Sequence, residues 1–326
     1  MSPLRTHALQ TGCVALLTVF APLLLPAPPA SAARTAQPTK ILQRTAVLTV
    51  ATYQYADTTN PEQSLDAYYV PAATHRPWIV VVHGGSWAAG NRKSIDASAR
   101  KFEAAGFHVF NVEYRKISDF PGRVGVSWAT QRNDVIMAVD WVRGHADAFG
   151  IDRERGAIYG FSAGGHLAAS VGLYGRGNSR FKAIVSTSGV LQPQRLADVA
   201  DSDPRVGHAG DKPTADVRTL SRWAAAAMRC PRLEWADCKA RWNAFMPEQS
   251  ISTDDPQVMM FQGTADQAVP PQTARAFAYW LRRKSVPYVL TECVNWSHTE
   301  ACAMDGSWRQ DMMMSWLKAR TAAPTQ

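Results

Sequence analysis

A serine between small residues carries the clearest chemical signal in this sequence. The segment Gly160–Gly165 reads GFSAGG, directly after an apolar stretch and directly before a helix-like one. A sharp strand-to-helix turn of the G-x-S-x-G type lifts the serine hydroxyl clear at the head of a helix, where developing negative charge is favoured. The pattern in this context predicts that Ser162 is a nucleophile. A purely structural glycine turn is the alternative.

A second glycine string follows the most apolar stretch of the chain. His83–Trp87 reads HGGSW, and acyl transfer through a tetrahedral intermediate needs closely approaching backbone N–H donors of the kind that glycines permit. The expected oxyanion-hole donors are the backbone N–H groups of Gly84, Gly85, Ser86 and Ala163. An ordinary glycine turn is the alternative, and we expect His83 itself to be a structural hydrogen-bonding residue.

A hydroxyl nucleophile needs a general base, and the base needs an orienting carboxylate. Asp266 follows one strand-like stretch, and His298, which is the only histidine after Asp266, follows the next. The order Ser, acid, His, each just beyond a strand, predicts a triad of Ser162, Asp266 and His298. Glu300 and Asp305 remain alternative acids.

The remaining histidines lie where we expect structural roles. His166 is one helical turn beyond Ser162 and is expected to pack beneath the turn, whereas His108 lies within a strand-like stretch. Because no cluster shows metal-ligand spacing such as H-E-x-x-H, and no nucleotide-binding fingerprint occurs, we expect neither a metal nor a cofactor.

Short apolar runs alternate with helix-like segments along most of the chain. Strands are expected at 78–83, 107–114, 156–161, 181–188, 258–262 and 288–294, after an antiparallel hairpin of 46–55 and 64–70. Helices are expected at 94–105, 128–149, 165–174, 272–284 and 307–319. This alternation predicts a doubly wound α/β domain with a mostly parallel sheet.

Residues 191–249 interrupt this alternation. The stretch is rich in Ala, Arg, Asp and Trp, and we expect a mainly helical insert within a single domain of residues 33–326. It forms either a cap that selects the substrate or an apolar cluster that packs on the sheet.

The first 32 residues are typical of a secretory signal peptide. Arg5 precedes an apolar run at 14–25, and a proline-rich stretch ends at Ala30–Ala32. The run is too short to span a bilayer, and no other segment approaches a membrane span. We therefore expect cleavage after Ala32 and export, to the periplasm or the extracellular space.

The cysteines that remain after such cleavage fall into two close pairs. In an oxidising compartment, this spacing favours Cys230–Cys238 and Cys293–Cys302 disulfides, which is one of three possible pairings. Buried free thiols are the alternative.

Composition excludes several classes of protein. The chain has 326 residues, of which 46% are hydrophobic and 19% charged, so it can bury a large core and is not disordered. The formal charge is +8, from 35 Lys and Arg against 27 Asp and Glu. Because the arginines form no block, we expect a solvated basic surface and no nucleic-acid partner.

Five segments together resemble the α/β-hydrolase superfamily, and within it carboxylesterases of the hormone-sensitive-lipase and feruloyl/acetyl-esterase (BD-FAE-like) type. They are HGGSW at 83–87, VEYR at 112–115, GID at 150–152 leading into GFSAGGH at 160–166, GTAD at 263–266 with VP at 269–270, and SH at 297–298. The string ending in Ser86-Trp87 instead of a third glycine is similar to the feruloyl/acetyl-esterase branch.

The resemblance covers roughly residues 65–190 and 255–320. It implies an α/β-hydrolase fold with a mostly parallel central sheet flanked by helices, a Ser162/His298/Asp266 triad, and an oxyanion hole from residues 84–86 and the Ala163 N–H.

The expected function is a secreted serine carboxylic-ester hydrolase that forms an acyl-enzyme on short-chain acyl or aryl esters. Its substrate is a small-molecule or polymer-linked ester, and the oligomeric state is not indicated by the sequence. A serine exopeptidase of prolyl-oligopeptidase type is one alternative, although the stretch before the first hairpin is too short for a propeller. A non-catalytic binding protein is another, although no triad member is missing.

Overall fold

The computed structural model describes residues 47–57, 59–117, 126–175, 177–194, 196, 215–230 and 236–323. The predicted signal peptide at 1–32 and its cleavage site lie outside these residues, as does a part of the predicted insert.

In the described part of the chain, eight strands form one sheet. They are β1 (Thr49–Gln54), β2 (Ser64–Tyr69), β3 (Arg76–Val82), β4 (His108–Val112), β5 (Ile151–Phe161), β6 (Ala183–Thr187), β7 (Gln257–Gly263) and β8 (Tyr288–Cys293). The strand order is β1-β2-β4-β3-β5-β6-β7-β8. β2 is antiparallel to both neighbours, and all other neighbouring strands are parallel. The mostly parallel sheet and its antiparallel hairpin are confirmed.

The central strands are apolar on both faces because both faces of the sheet are covered. In β3, Trp78, Val80 and Val82 belong to one buried cluster, whereas Ile79 and Val81 belong to another on the opposite face. Successive side chains of a strand point to opposite faces, so a continuous run such as WIVVV fits only between two helical layers.

Helices supply those two layers. They are α1 (Asp96–Ala104), α2 (Trp128–Gly144), α3 (Ala146–Phe149), α4 (Ala163–Gly172), α5 (Gly177–Arg180), α6 (Ala215–Met228), α7 (Ala236–Phe245), α8 (Pro271–Arg283), α9 (Ala301–Met304) and α10 (Trp308–Arg320). Short 3-10 turns occur at Pro61–Gln63, Arg92–Ile95 and Pro247–Ser250.

The two largest differences from the sequence-based boundaries concern one helix and one strand. The helix predicted over 128–149 is interrupted at His145, which leaves the helical region with φ −105° and ψ 22°. The change of direction lets Ala146 and Phe149 reach the core, where both are buried. In addition, β5 begins at Ile151 and not at residue 156, because the polar residues 152–155 extend the strand beyond the apolar centre of the sheet.

The described part of the insert is helical, as expected. The inner face of α6, with Val217, Leu220 and Ala224, is buried in the same cluster as the main core. Cys230 and Cys238, with Cα atoms 5.4 Å apart, are at disulfide-bonding distance and tie the end of α6 to α7. The described insert helices therefore extend the main core. No helix among the described residues is long and apolar enough to cross a membrane.

Candidate active site

The carboxyl ends of the parallel strands bring the predicted triad together. β5 ends at Phe161, paired with Thr187 of β6, and β7 ends at Gly263, paired with Cys293 of β8. Residues that follow these strands must therefore emerge at one edge of the sheet. Ser162, Asp266 and His298 do so.

Ser162 occupies a tight turn between β5 and α4. Its backbone lies in the left-handed region with φ 56° and ψ −122°, a conformation that non-glycine residues hold only when their surroundings enforce it. The N–H of Ser162 donates to Thr187 O at 3.0 Å, and the N–H of His166 donates to Ser162 O at 3.1 Å. Both neighbours fix the turn, and the hydroxyl lies at the N-terminus of α4.

His298 connects Ser162 to Asp266. His298 Nε2 is 2.9 Å from Ser162 Oγ, and His298 Nδ1 is 2.8 Å from Asp266 Oδ2. Because an ionised carboxylate only accepts, the Nδ1 carries the proton in this arrangement and the Nε2 lone pair faces the serine hydroxyl. The ring is a quarter exposed, so it lies at the junction between the protein and solvent.

Four donors hold the Asp266 carboxylate in place. Oδ1 accepts from the backbone N–H groups of Ala268 (3.0 Å) and Val269 (2.8 Å), and Oδ2 accepts from Gln262 Nε2 (3.1 Å) as well as from His298. The side chain is fully buried. Gln262 is therefore a site residue that the sequence reasoning missed, and its place near the end of β7, four residues before Asp266, was the available signal.

The loops that carry Asp266 and His298 are joined to each other. The Ala265 N–H donates to Trp296 O at 3.0 Å, and the Asn295 N–H donates to Thr264 Oγ1 at 2.9 Å. Cys293 and Cys302, with Cα atoms 5.9 Å apart and at disulfide-bonding distance, close the loop around His298. The loop that carries His298 is therefore anchored on both sides.

The alternative acids have other partners. Glu300 Oε1 accepts from Tyr159 OH at 2.8 Å and from Ser98 Oγ at 2.9 Å. Burial raises the pKa of Glu300, and these hydrogen bonds oppose the shift. Asp305 pairs with Arg309 at 2.6 Å.

The glycine string after β3 lies against the nucleophile turn. A Cβ atom on Gly84 would be 2.9 Å from Phe161 O and 3.0 Å from Ser162 Cβ, so only glycine allows this approach. Gly85, Ser86 and Trp87 follow with φ of 121°, 52° and 62°, three consecutive left-handed residues that turn the backbone sharply. Within the described part of the chain, the backbone N–H groups of Gly84, Gly85, Ser86 and Ala163 donate to no acceptor.

His83 has the structural role that the sequence suggested. Its ring is fully buried and stacks on Tyr114 with centroids 4.3 Å apart. Nδ1 is 2.7 Å from Gly84 O, and Nε2 is 3.1 Å from Glu113 Oε1. Both partners are acceptors, so the ring donates to both only when it carries both protons.

Glu113 is the anion of this buried cluster, and sequence reasoning assigned it no role. Besides His83, it accepts from Lys116 Nζ at 2.6 Å and from the Arg92 N–H at 2.9 Å. Burial alone would raise the pKa of Glu113, but the His83 hydrogen bond and charge, with those of its other donors, lower it from 4.5 to about 2. Glu113 and Tyr114 belong to the VEYR segment, which therefore braces the glycine string.

Among the described residues, no group of three or more His, Cys, Asp or Glu side chains is arranged to hold a metal ion. The arrangement provides a serine hydroxyl, a ring nitrogen 2.9 Å from it, a carboxylate that orients the ring, and a glycine loop against the Ser162 turn whose backbone N–H groups have no acceptor among the described residues. These are the groups that acyl transfer requires.

The sequence also matches a known protein family. The sequence profile of the BD-FAE family matches residues 65–281, which is more than half of the chain. The chain belongs to the BD-FAE family. The match includes the glycine string, Ser162 and Asp266, whereas His298 lies beyond its end.

This BD-FAE chain is also similar to named proteins. It is 28% identical over 130 residues to an arylesterase of Saccharolobus solfataricus, covering 37% of this chain and 40% of that protein. It is 27% identical over 219 residues to esterase LipC of Mycobacterium tuberculosis, covering 64% and 49%. The chain thus spans about half the length, or less, of these relatives.

Solved structures share the fold of this BD-FAE chain. Esterase B from Lactobacillus rhamnosis superposes with a TM-score of 0.67 at 19% identity, covering 84% of this chain and 87% of that one. A truncated carbohydrate esterase from gut microbiota gives 0.67 at 19% identity, covering 84% and 97%. Together with the sheet topology, these likenesses confirm the predicted α/β-hydrolase fold.

Proposed function

We propose that this protein is a serine carboxylic-ester hydrolase with Ser162 as nucleophile, His298 as general base and Asp266 as orienting acid. The observation that carries the proposal is the continuous hydrogen-bond chain, 2.9 Å from Ser162 Oγ to His298 Nε2 and 2.8 Å from His298 Nδ1 to Asp266 Oδ2. The family membership and the esterase names of the relatives support it.

The first half of the reaction transfers the acyl group to the enzyme. His298 Nε2 takes the Ser162 proton while Oγ attacks the ester carbonyl carbon, and Asp266 stabilises the imidazolium that forms. The carbonyl oxygen becomes an oxyanion. When the tetrahedral intermediate collapses, the C–O bond to the alcohol breaks, and the alcohol leaves with the proton from His298.

The second half returns the enzyme to its starting state. Water attacks the acyl carbon, His298 takes its proton, and the carboxylic acid leaves as Ser162 Oγ regains a proton. In both halves, backbone N–H groups of Gly84, Gly85, Ser86 and Ala163 stabilise the oxyanion. A single donor of this kind typically contributes about 3–4 kcal/mol to transition-state stabilisation.

The proposed substrates are short-chain acyl or aryl esters, free or attached to a polymer. The arylesterase and the carbohydrate esterase among the similar proteins support this range. In this proposal, the ester specificity depends on the residues around Ser162.

Export is the other part of the proposal. The N-terminal pattern supports a cleaved signal peptide, and two cysteine pairs at disulfide-bonding distance suit an oxidising compartment. Expression in a secreting host tests it. The exported protein should begin at Ala33, whereas an intact N-terminus on protein retained in the cytosol would contradict export.

Hydrolysis of chromogenic esters of increasing acyl length tests the activity. The mature protein should cleave acetyl or butyrate esters, and Ser162→Ala should abolish cleavage. Ser94→Ala, at an exposed serine of the Arg92–Ile95 turn, should match wild type. Cleavage of a dipeptide anilide with little ester turnover would contradict an esterase and indicate a peptidase.

A further inference from the structure

His166 lies between the oxyanion loop, here residues 84–87, and the insert. It is fully buried, one turn after Ser162 on α4. Trp87 Nε1 donates to His166 Nδ1 at 3.3 Å, and His166 Nε2 is 2.8 Å from Phe245 O. Trp87 ends the loop, and Phe245 ends insert helix α7. His166, on the helix that follows Ser162, therefore contacts both the oxyanion loop and the insert.

The donors and acceptors fix the state of the His166 ring. An indole N–H only donates and a carbonyl only accepts, so Nδ1 must be unprotonated and Nε2 must carry the proton. Burial lowers the pKa of His166 from 6.5 to about 3, so the ring is neutral in the range where esters are assayed. A neutral ring has one N–H, and the Phe245 carbonyl holds it at Nε2. Ser170 Oγ lies at a longer 3.4 Å from the same nitrogen.

The loop that receives this contact is strained. Gly85, Ser86 and Trp87 all have positive φ, and non-glycine residues persist there only when surrounding contacts hold them. Trp87 supplies these contacts. Its indole is fully buried, and its carbonyl accepts from Gln131 Nε2 at 2.6 Å and from the Ile117 N–H at 3.0 Å.

Phe245 packs its ring against both His166 and Trp87. The ring centroids are 4.4 Å apart for His166 and Phe245 and 5.2 Å apart for Trp87 and Phe245. The end of the insert thus touches both the histidine and the last residue of the loop.

We propose that His166 is a positioning residue that holds the oxyanion loop through Trp87, in a ring orientation and tautomer that the insert sets through the Phe245 carbonyl. The inference rests on the proposed function, which it deepens by linking the insert to the oxyanion hole. His166 touches no reacting atom and acts through Trp87.

Two variants separate the two ring nitrogens. In His166→Asn, the amide lies where Nδ1 was and can accept from Trp87. In His166→Gln, the amide reaches the position of Nε2 and can donate to Phe245 O, but Trp87 loses its acceptor. We expect His166→Gln and His166→Leu to lower kcat about tenfold to a hundredfold with KM nearly unchanged, and His166→Asn to keep most of kcat.

A matched control distinguishes positioning from packing. His108 is also buried, its pKa is lowered by burial to about 4, and it bonds the Val70 N–H and Phe149 O away from the triad. His108→Leu should lower the melting temperature as His166→Leu does and leave kcat unchanged. If kcat of His166→Leu and His166→Gln equals that of wild type below melting, or if Gln is better than Asn, the proposal is wrong.

Trp87→Phe tests the same contact without changing the histidine. It removes the donor and keeps a ring, and its loss of kcat should equal that of His166→Leu, with no further loss in the double variant. The proposal is overturned if the double variant loses kcat by the product of the two single losses. It is also overturned if Trp87→Phe has the kcat of wild type. A wild-type protein that hydrolyses no ester would contradict the proposed function instead. The exchange rate of the Trp87 indole proton, which should rise in His166→Leu, then still tests the contact.

Discussion

Glu113→Gln should destabilise the protein in a pH-dependent way. The carboxylate accepts from His83, Lys116 and the Arg92 N–H, and its pKa falls from 4.5 to about 2 despite burial. At 1.36 kcal/mol for each pKa unit, the charged form contributes roughly 3 kcal/mol to the free energy of unfolding. Glutamine removes that charge. It also places an amide NH₂ group, which can only donate, among the donors of His83, Lys116 and Arg92.

The direction of the pH dependence follows from the lowered pKa. The contribution is complete above pH 4.5 and is lost as the pH falls towards 2, where the folded protein also binds the proton. The stability gap between wild type and Glu113→Gln should therefore be roughly 3 kcal/mol at pH 7 and less than about half of that at pH 3.

Urea denaturation followed by tryptophan fluorescence measures this gap at both pH values. Glu154→Gln is the control, because Glu154 is mostly exposed and pairs with Arg143 at the surface, where such a pair contributes about 1 kcal/mol at most. Equal stability of Glu113→Gln and wild type at pH 7, or a gap that does not shrink at pH 3, would show that the Glu113 charge does not stabilise the fold.

Three further substitutions test the site. Asp266→Asn should lower kcat about ten-thousandfold in the ester assay, because the ring loses the partner that sets its tautomer; a loss below tenfold would contradict its role. Gly85→Ala should lower kcat about a hundredfold, since its Cβ would lie 2.1 Å from Ala89 O at φ 121°; unchanged kcat would show that the loop is not needed. Cys293→Ser should lower the unfolding free energy by about 2–3 kcal/mol in urea; wild-type stability under oxidising conditions would speak against the bridge.

The proposed triad residues could be assigned to one edge of the sheet from the sequence, because their positions depend on strand ends. Ser162, Asp266 and His298 each follow an apolar run, and parallel strands place their carboxyl ends at one edge of the sheet. The order of the strands therefore predicts that Ser162 and His298, 136 residues apart in the sequence, lie close together. In the structure, Ser162 Oγ is 2.9 Å from His298 Nε2.

Contacts within the site were harder to predict from the sequence. The VEYR segment belongs to the family resemblance, but no periodicity tells which side chain Glu113 contacts, since Glu113 follows β4 and its partner His83 follows β3. The same is true of His166, whose partners lie 79 residues away in both directions.

The missed boundaries have local causes. The interruption at His145 follows Gly144 directly, and a glycine lowers helix propensity enough to be the available signal. The early start of β5 gave little apolar signal, because Ile151 is the one apolar residue among its first five and Arg153 and Glu154 are exposed. Hydrophobic patterns locate strands by their buried part only.

Trapping the acyl-enzyme tests directly whether Ser162 is the nucleophile. The mature protein is mixed with an aryl acetate, quenched in acid within the first turnover, and its peptides are mapped by mass spectrometry. We expect one acetyl group on Ser162 in wild type and none at that position in Ser162→Ala, together with loss of ester hydrolysis. An acetyl group on another residue, or hydrolysis that persists in Ser162→Ala, would contradict that role of Ser162.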